Sequence, residues 1–198
     1  MGLTVSGLAP SVEAAILAAF ADARPRLASG DVAVVGVSCD TGVALHELGQ
    51  DAWNDMVASL RSATFAIQEA ARDISAGAPG QGRIIVVVPA HSVRTSAGTG
   101  VAAVAGSFLT TVGQVAAVEL GPKGIRVNVV AAGPLEGAAP ASVAGAVPTG
   151  RLTTPEDVAR ACVLLALPES EHVNGAVIAV DGGYAVTKAA GGSPFAGS

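Results

Sequence analysis

Aromatic side chains are nearly missing: the chain has four Phe, one Tyr and one Trp in 198 residues. Charge is also scarce, at 14% of residues, while 51% are hydrophobic. The apolar content is thus Ala and Val, and with 25 Gly it predicts a core of closely approaching backbones. Cysteine is limited to Cys39 and Cys162, far apart and without paired spacing, which argues against a disulfide framework or a thiolate metal site. The acidic residues do not cluster, and no metal site is expected. The net charge is −5 with Lys and Arg scattered, so there is no basic stripe to follow a nucleic-acid backbone. The N-terminal MGLTVSGLAP has neither a basic region nor a long apolar run, so no signal peptide is expected and the cytoplasm is the expected location.

One long uncharged stretch stands out. Thr95 to Val118 is long enough to cross a bilayer. It also holds Thr110, Thr111, Gln114 and several Gly, which offset the modest insertion gain of Ala and Val. The expectation is a helix covered by protein.

Elsewhere β-branched runs alternate with helical periods. LTVSG reads as a strand, and PSVEAAILAAFADAR carries Val12, Ile16, Ala19 and Phe20 at helical spacing. DVAVVGVS is a second strand, followed by a long helix beginning at an Asp N-cap in DAWNDM. GRIIVVVPA is almost wholly apolar, as a strand covered on both faces of a parallel sheet must be. The uncharged helix then runs to Leu120, stopped by Gly121-Pro122, and IRVNVVAAGP is the next buried strand. A Pro, Ala and Gly-rich loop leads to TPEDVARACVLLALP, with Thr as N-cap and Pro at the first helical position, and GAVIAVDGGY supplies a last strand. This alternation implies a doubly wound parallel α/β sheet of about five strands in a single domain over residues 1–184. The small, polar tail 185–198 is expected to be disordered or held by a partner.

The order GRIIVVV, VELGPKGIRVNVVAAGP, RLTTPEDVARACVLLAL and VNGAVIAVDGGY resembles the short-chain dehydrogenase/reductase family, most closely its 3-oxoacyl-carrier-protein reductase-like branch. The resemblance covers residues 31 to 184 well and 4 to 24 weakly. It implies a Rossmann-like fold, NAD(P) chemistry and a dimer or tetramer. It also implies an Asn, Ser, Tyr, Lys tetrad. Here the matching positions hold Leu60, Pro89, Ala102 and Gly106, with His91, Ser92 and Ser96 close to the Ser position. The only Tyr is Tyr184, in DGGY. Proton transfer to a carbonyl oxygen needs a donor within hydrogen-bond reach, which Ala and Gly cannot provide.

The family's glycine-rich phosphate turn would fall on Ser6 to Glu13, where Gly7 alone matches, Ser11 and Glu13 replacing later glycines. Like charges about 4 Å apart at an effective dielectric near 20 repel by roughly 4 kcal/mol, so Glu13 would oppose a phosphate about a thousandfold. The family's NNAG segment reads Val35-Gly36-Val37-Ser38. Between Arg24 and Asp31 there is no room for the usual second and third strands, roughly fifty residues. The direct crossover that results should be right-handed, which bears on the face the first helix covers.

Three functions follow. The first is a catalytically dead pseudoenzyme subunit that pairs, as a hetero-dimer or hetero-tetramer, with a full-length short-chain dehydrogenase/reductase. NAD(P) would sit in the partner and none in this chain, and the substrate would be a hydroxy or oxo compound, an acyl thioester among the candidates. A helix apolar on all faces needs cover on all faces, and the expected interface is Leu60, Phe65, Ala102, Ala103, Ala105, Gly106, Ser107 and Tyr184. The second is a stand-alone enzyme using His91 with Ser92, or Asp40 with His46. The third is a ligand-binding homo-oligomer.

Overall fold

The computed structural model describes residues 2–27, 30–37, 43–77, 82–92, 95 and 98–187. Five parallel strands lie in sequence order: β1 (Leu3–Ser6), β2 (Val32–Gly36), β3 (Gly82–Pro89), β4 (Ile125–Ala132) and β5 (Val177–Val180). They alternate with α1 (Pro10–Ala23), α2 (Gln50–Ala76), α3 (Gly100–Leu120) and α4 (Pro155–Ala166). The shortened Rossmann-like sheet is as expected. Cys39, Asp40 and Ser96, and residues 188–198 of the tail, lie outside the described residues; Tyr184–Val186 form a short helical turn.

The central strands explain the composition. β3 and β4 pair over their full length, from Gly82 beside Ile125 to Pro89 beside Ala132. Ile84, Val86 and Val88 face α2 and α3, in one core with Leu60, Ile67, Ala105 and Leu109. Ile85 and Val87 face the other way, in a second core with Val12, Ile16 and Phe20 of α1 and Val158, Cys162 and Leu165 of α4. Both faces of these strands exclude water, and the buried Asn128 of β4 is satisfied by backbone, donating to the Val173 carbonyl at 2.9 Å and accepting from the Ala176 amide at 3.0 Å.

The faces covered answer the question of where the first helix lies. Because spatial order follows sequence order, every crossover steps in the same direction, and its hand depends only on the face its helix covers. Since α1 and α4 cover one face and α2 and α3 the other, two crossovers have one hand and two the opposite. Uniformly right-handed crossovers would have put all four helices together. The physical reason is coverage: α2 and α3 shield one face only, and α1 packing on α4 shields the other.

Two helix ends differ from or match the sequence pattern. The N-cap of α2 is Gly49, with Asp51 inside the first turn rather than capping it. At α4, Thr154 accepts from the Asp157 amide at 3.2 Å while the Asp157 carboxylate accepts from the Thr154 amide at 3.0 Å, a reciprocal capping box. Arg151 pairs with the same carboxylate. This pairing is the foremost cause holding the Asp157 carboxyl well below its ordinary value of 3.8. As for α3, it is long and apolar enough to cross a membrane by length and composition. Its buried residues, from Ala102 to Ala117, pack against the sheet instead, making it a core helix of this fold.

Thr154→Ala is expected to lower the unfolding free energy by about 1 kcal/mol, read from urea denaturation. The Asp157 contribution has the sign of a depressed carboxylate: it is fully present above pH 3.8 and is lost as pH falls below that value toward the folded-state pKa. Asp157→Asn should therefore lose stability against the parent at pH 6 and converge with it at strongly acid pH.

Candidate functional site

At the carboxyl ends of β1 to β4 the chain encloses a cavity of about 390 Å³. This is the edge at which open α/β sheets bind ligands. Leu8, Ala9 and Val12 form the wall from the start of α1, Val37 follows β2, and Val87, Val88 and Pro89 come from β3. Ala132 to Leu135 continue β4, and Ala138, Ala139, Pro140 and Val143 of the following loop lie across them, with Val158 of α4 below. Three polar side chains join this apolar wall: His91, Thr99 and Tyr184.

Asp181 aims the tyrosine. Buried just after β5, its carboxylate accepts from the Gly183 amide at 2.8 Å and the Ala185 amide at 2.7 Å, folding the DGGY segment into a tight turn. That turn sets Tyr184 edge-on to His91, with ring centroids 6.2 Å apart and planes at 83°. Sequence reasoning placed Tyr184 at a subunit interface; the structure places it in the cavity. The available signal was an Asp two residues before a glycine, the pattern of a side chain that caps its own turn. Leu8 and Asp181 were both missed.

The other expected residues separate. Ser92 does not line the cavity beside His91: its Cβ lies 2.7 Å from where a Gly106 side chain would begin. Gly106 is thus required by the close approach of α3 to the turn after β3 (residues 90–92), with the Pro89 carbonyl only 3.3 Å away. Leu60, Ala102, Ala103, Ala105 and Gly106 are buried in the chain's own core, so they cannot be the surface that another chain covers. Phe65 and Ser107 are exposed. His46 is exposed beside Glu47 and stands outside the cavity. Cys162 is buried, and burial pushes its thiol up to about 12, which leaves it unreactive.

The β1–α1 turn does not fit a dinucleotide phosphate. Gly7, at φ 72°, packs onto the Gly36 carbonyl, which stands 2.2 Å from where a Gly7 side chain would begin. The Leu8 side chain lies over Gly36 in the same way. Here the family's one matching glycine closes the turn against β2. Pro10 has no N–H, and the amides of Val12 and Glu13 donate to the Ala9 carbonyl at 3.0 Å each. Glu13 adds a negative charge in the first helical turn. Among the described residues lining the cavity there is no Lys or Arg, and β1 pairs only with β2. A phosphate would meet no cation among those described residues, and of the first-turn amides those of Val12 and Glu13 are already engaged.

This is a Rossmann-type α/β protein with its cavity at the carboxyl edge of the sheet. A family model described as enoyl-(acyl carrier protein) reductase matches residues 11–185, and the chain belongs to the short-chain dehydrogenase/reductase family. It is 34% identical over 182 residues to cis-4-hydroxycyclohexanecarboxylate dehydrogenase of Sinomonas cyclohexanicum, covering 87% of this chain and 72% of that protein. It is 32% identical over 150 residues to a probable 2,4-dienoyl-CoA reductase of Bacillus subtilis, covering 70% of this chain and 59% of that one. A short-chain dehydrogenase/reductase mutant of Serratia marcescens superimposes with a TM-score of 0.71 at 27% identity, over 88% of this chain and 73% of that one. The fold is also that of a gluconate 5-dehydrogenase from Burkholderia cenocepacia in complex with NADP and tartrate, TM-score 0.73 at 22% identity, over 90% and 74% of the two chains.

These comparisons correct the expectation that the chain is not itself an enzyme. The family is one of oxidoreductases, and the relative that matches 87% of this chain is a dehydrogenase. Ala102 and Gly106 record what α3 lacks; they do not decide what the cavity does. Asp181→Ala should cost about 1–3 kcal/mol in unfolding free energy, because two amides lose a buried charged acceptor, and Asp181→Asn should recover part of that loss.

Proposed function

We propose that the chain is a subunit of a short-chain dehydrogenase/reductase assembly performing NAD(P)-linked oxidoreduction of a hydroxy or oxo compound, with acyl thioesters among the candidates. Its partner is an intact family member that carries the NAD(P). The observation behind this reading is the outer face of α2 and α3. Phe65 is 59% exposed and Val118 76%, and Val104, Phe108 and Val115 are exposed with them. Between the helices runs a groove lined by Thr64, Ile67, Ser107, Phe108 and Val115. Clustered apolar exposure of this kind on a chain poor in large hydrophobic residues is the mark of a protein contact. The partner surface is thus shifted from the small-residue stripe of α3, which the core uses, to the opposite side of the same helix. The assembly is placed in the cytoplasm.

A second reading has its own support: the meeting of His91 and Tyr184 in the cavity. These two side chains could exchange a proton with a substrate oxygen, so the chain would contribute turnover of its own.

Native mass spectrometry and assays of the chain alone, a full-length family member from the same gene neighbourhood alone, and the co-expressed pair separate the outcomes. The assembly reading expects a hetero-oligomer more active than its separate parts, dissociated by Phe65→Asp with Phe108→Asp. Absence of any complex overturns it. Turnover by the isolated chain, reduced about a hundredfold or more by His91→Ala or Tyr184→Phe, favours the second reading.

A further inference from the structure

We infer that the open edge of β1 is a self-pairing surface, which takes β1 of a second copy of this chain in antiparallel register about a two-fold axis at Thr4.

The edge follows from the fold. Among the described strands β1 pairs only with β2 and ends the sheet. In a Rossmann-type strand order the second and third strands lie beyond the first, and between Arg24 and Asp31 this chain has no room for them. The ladder shows which backbone groups are left over. The Val32 amide donates to the Gly2 carbonyl at 2.9 Å, and in a parallel pair the N–H and C=O of one residue point to the same side while successive residues alternate. Gly2, Thr4 and Ser6 therefore serve β2. Leu3 and Val5 direct both groups outward, where no described strand meets them. Sheet edges are commonly blunted by Lys, Pro or an inward-pointing charge, yet residues 2–9 hold no charged residue and no Pro.

The sequence selects the occupant. β1 has only four residues, so it needs a strand that matches it closely, and its own copy does. Antiparallel pairing that sets Leu3 opposite Val5 of the second copy, and Val5 opposite its Leu3, satisfies every outward N–H and C=O on both chains. Thr4 then faces Thr4 of the second copy as the closer, non-hydrogen-bonded kind of pair, and Thr opposite Thr is a favourable cross-strand match. Thr4 is exposed, whereas Leu3 and Val5 pack against the core on the side that α1 covers.

The same axis acts on α1. It places the two α1 helices on one face of a continuous sheet, running in opposite directions, so that their dipoles oppose. The Glu13 end of each helix lies toward the other copy's far end, where Arg24 and Arg26 outnumber Asp22. Leu17, midway along α1 and 48% exposed, gains cover. This surface is separate from the α2–α3 groove and does not depend on the assembly proposed above.

Sedimentation equilibrium of the full chain carrying Phe65→Asp and Phe108→Asp, which disable the α2–α3 face, tests the pairing. A dimer is expected at about 100 μM chain. Thr4→Lys and Thr4→Glu each set like charges opposite one another on the axis and should weaken the dimer on the order of tenfold or more. Mixing these two variants in equal amounts should restore it, a result that a folding defect does not give. Val5→Pro, whose lost N–H points away from β2, should give a monomer with an unchanged circular dichroism spectrum. A monomeric chain at that concentration overturns the inference and leaves the edge to residues 188–198 or to a different protein. A dimer indifferent to both Thr4 variants also overturns it, as does a dimer lost in each variant and not recovered in the mixture.

Discussion

The structure depends on the burial of β3 and β4 from both sides. An eight-residue strand such as β3, with Ile84, Val86 and Val88 on one face and Ile85 and Val87 on the other, is stable only if helices exclude water above and below it. With four helices available, that requirement divides them two and two. The division explains why the crossovers carry both hands, and why α1 is pressed against α4. It also explains where the cavity lies. The strands end on one edge, and the helix starts and loops that follow them cannot close the gap completely.

The same burial accounts for α3. Its sequence looks uniformly apolar because it has two apolar sides with different purposes. Ala102, Ala105, Gly106, Leu109 and Gly113 approach the sheet closely, and small residues are what close approach requires. Val104, Phe108, Val115 and Val118 point away from it. A helix facing water on that side would be expected to alternate with charge, and Glu119 is the only charged residue in α3. The groove between α2 and α3 and the cavity beside His91 are therefore separate surfaces with no lining residue in common.

Much of this was legible in the sequence. The two-sided strand pattern of GRIIVVVPA, the stop at Leu120 and the capping residues Thr154 and Pro155 each report a local constraint that residue type alone satisfies. The family resemblance placed Ala102 and Gly106 on the right helix. What could not be read was which face of that helix is inside, because Ala and Gly suit a core contact and a subunit contact equally well. Nor could the union of His91 with Tyr184 be read, since it joins the end of β3 to a turn more than ninety residues later through the carboxylate of Asp181. Leu8 escaped notice for a related reason: its importance lies in covering Gly36, on a strand paired with its own.

The β1–α1 turn, with Leu8 over Gly36 and Glu13 in the first helical turn, is where a dinucleotide of this family's kind has to bind. NADPH fluorescence titration of the isolated chain addresses it directly. The closed turn at Gly7 and Leu8 predicts no saturation up to about 1 mM. Saturable binding with a Kd of about 10 μM, corresponding to nearly 7 kcal/mol of binding free energy, would contradict it.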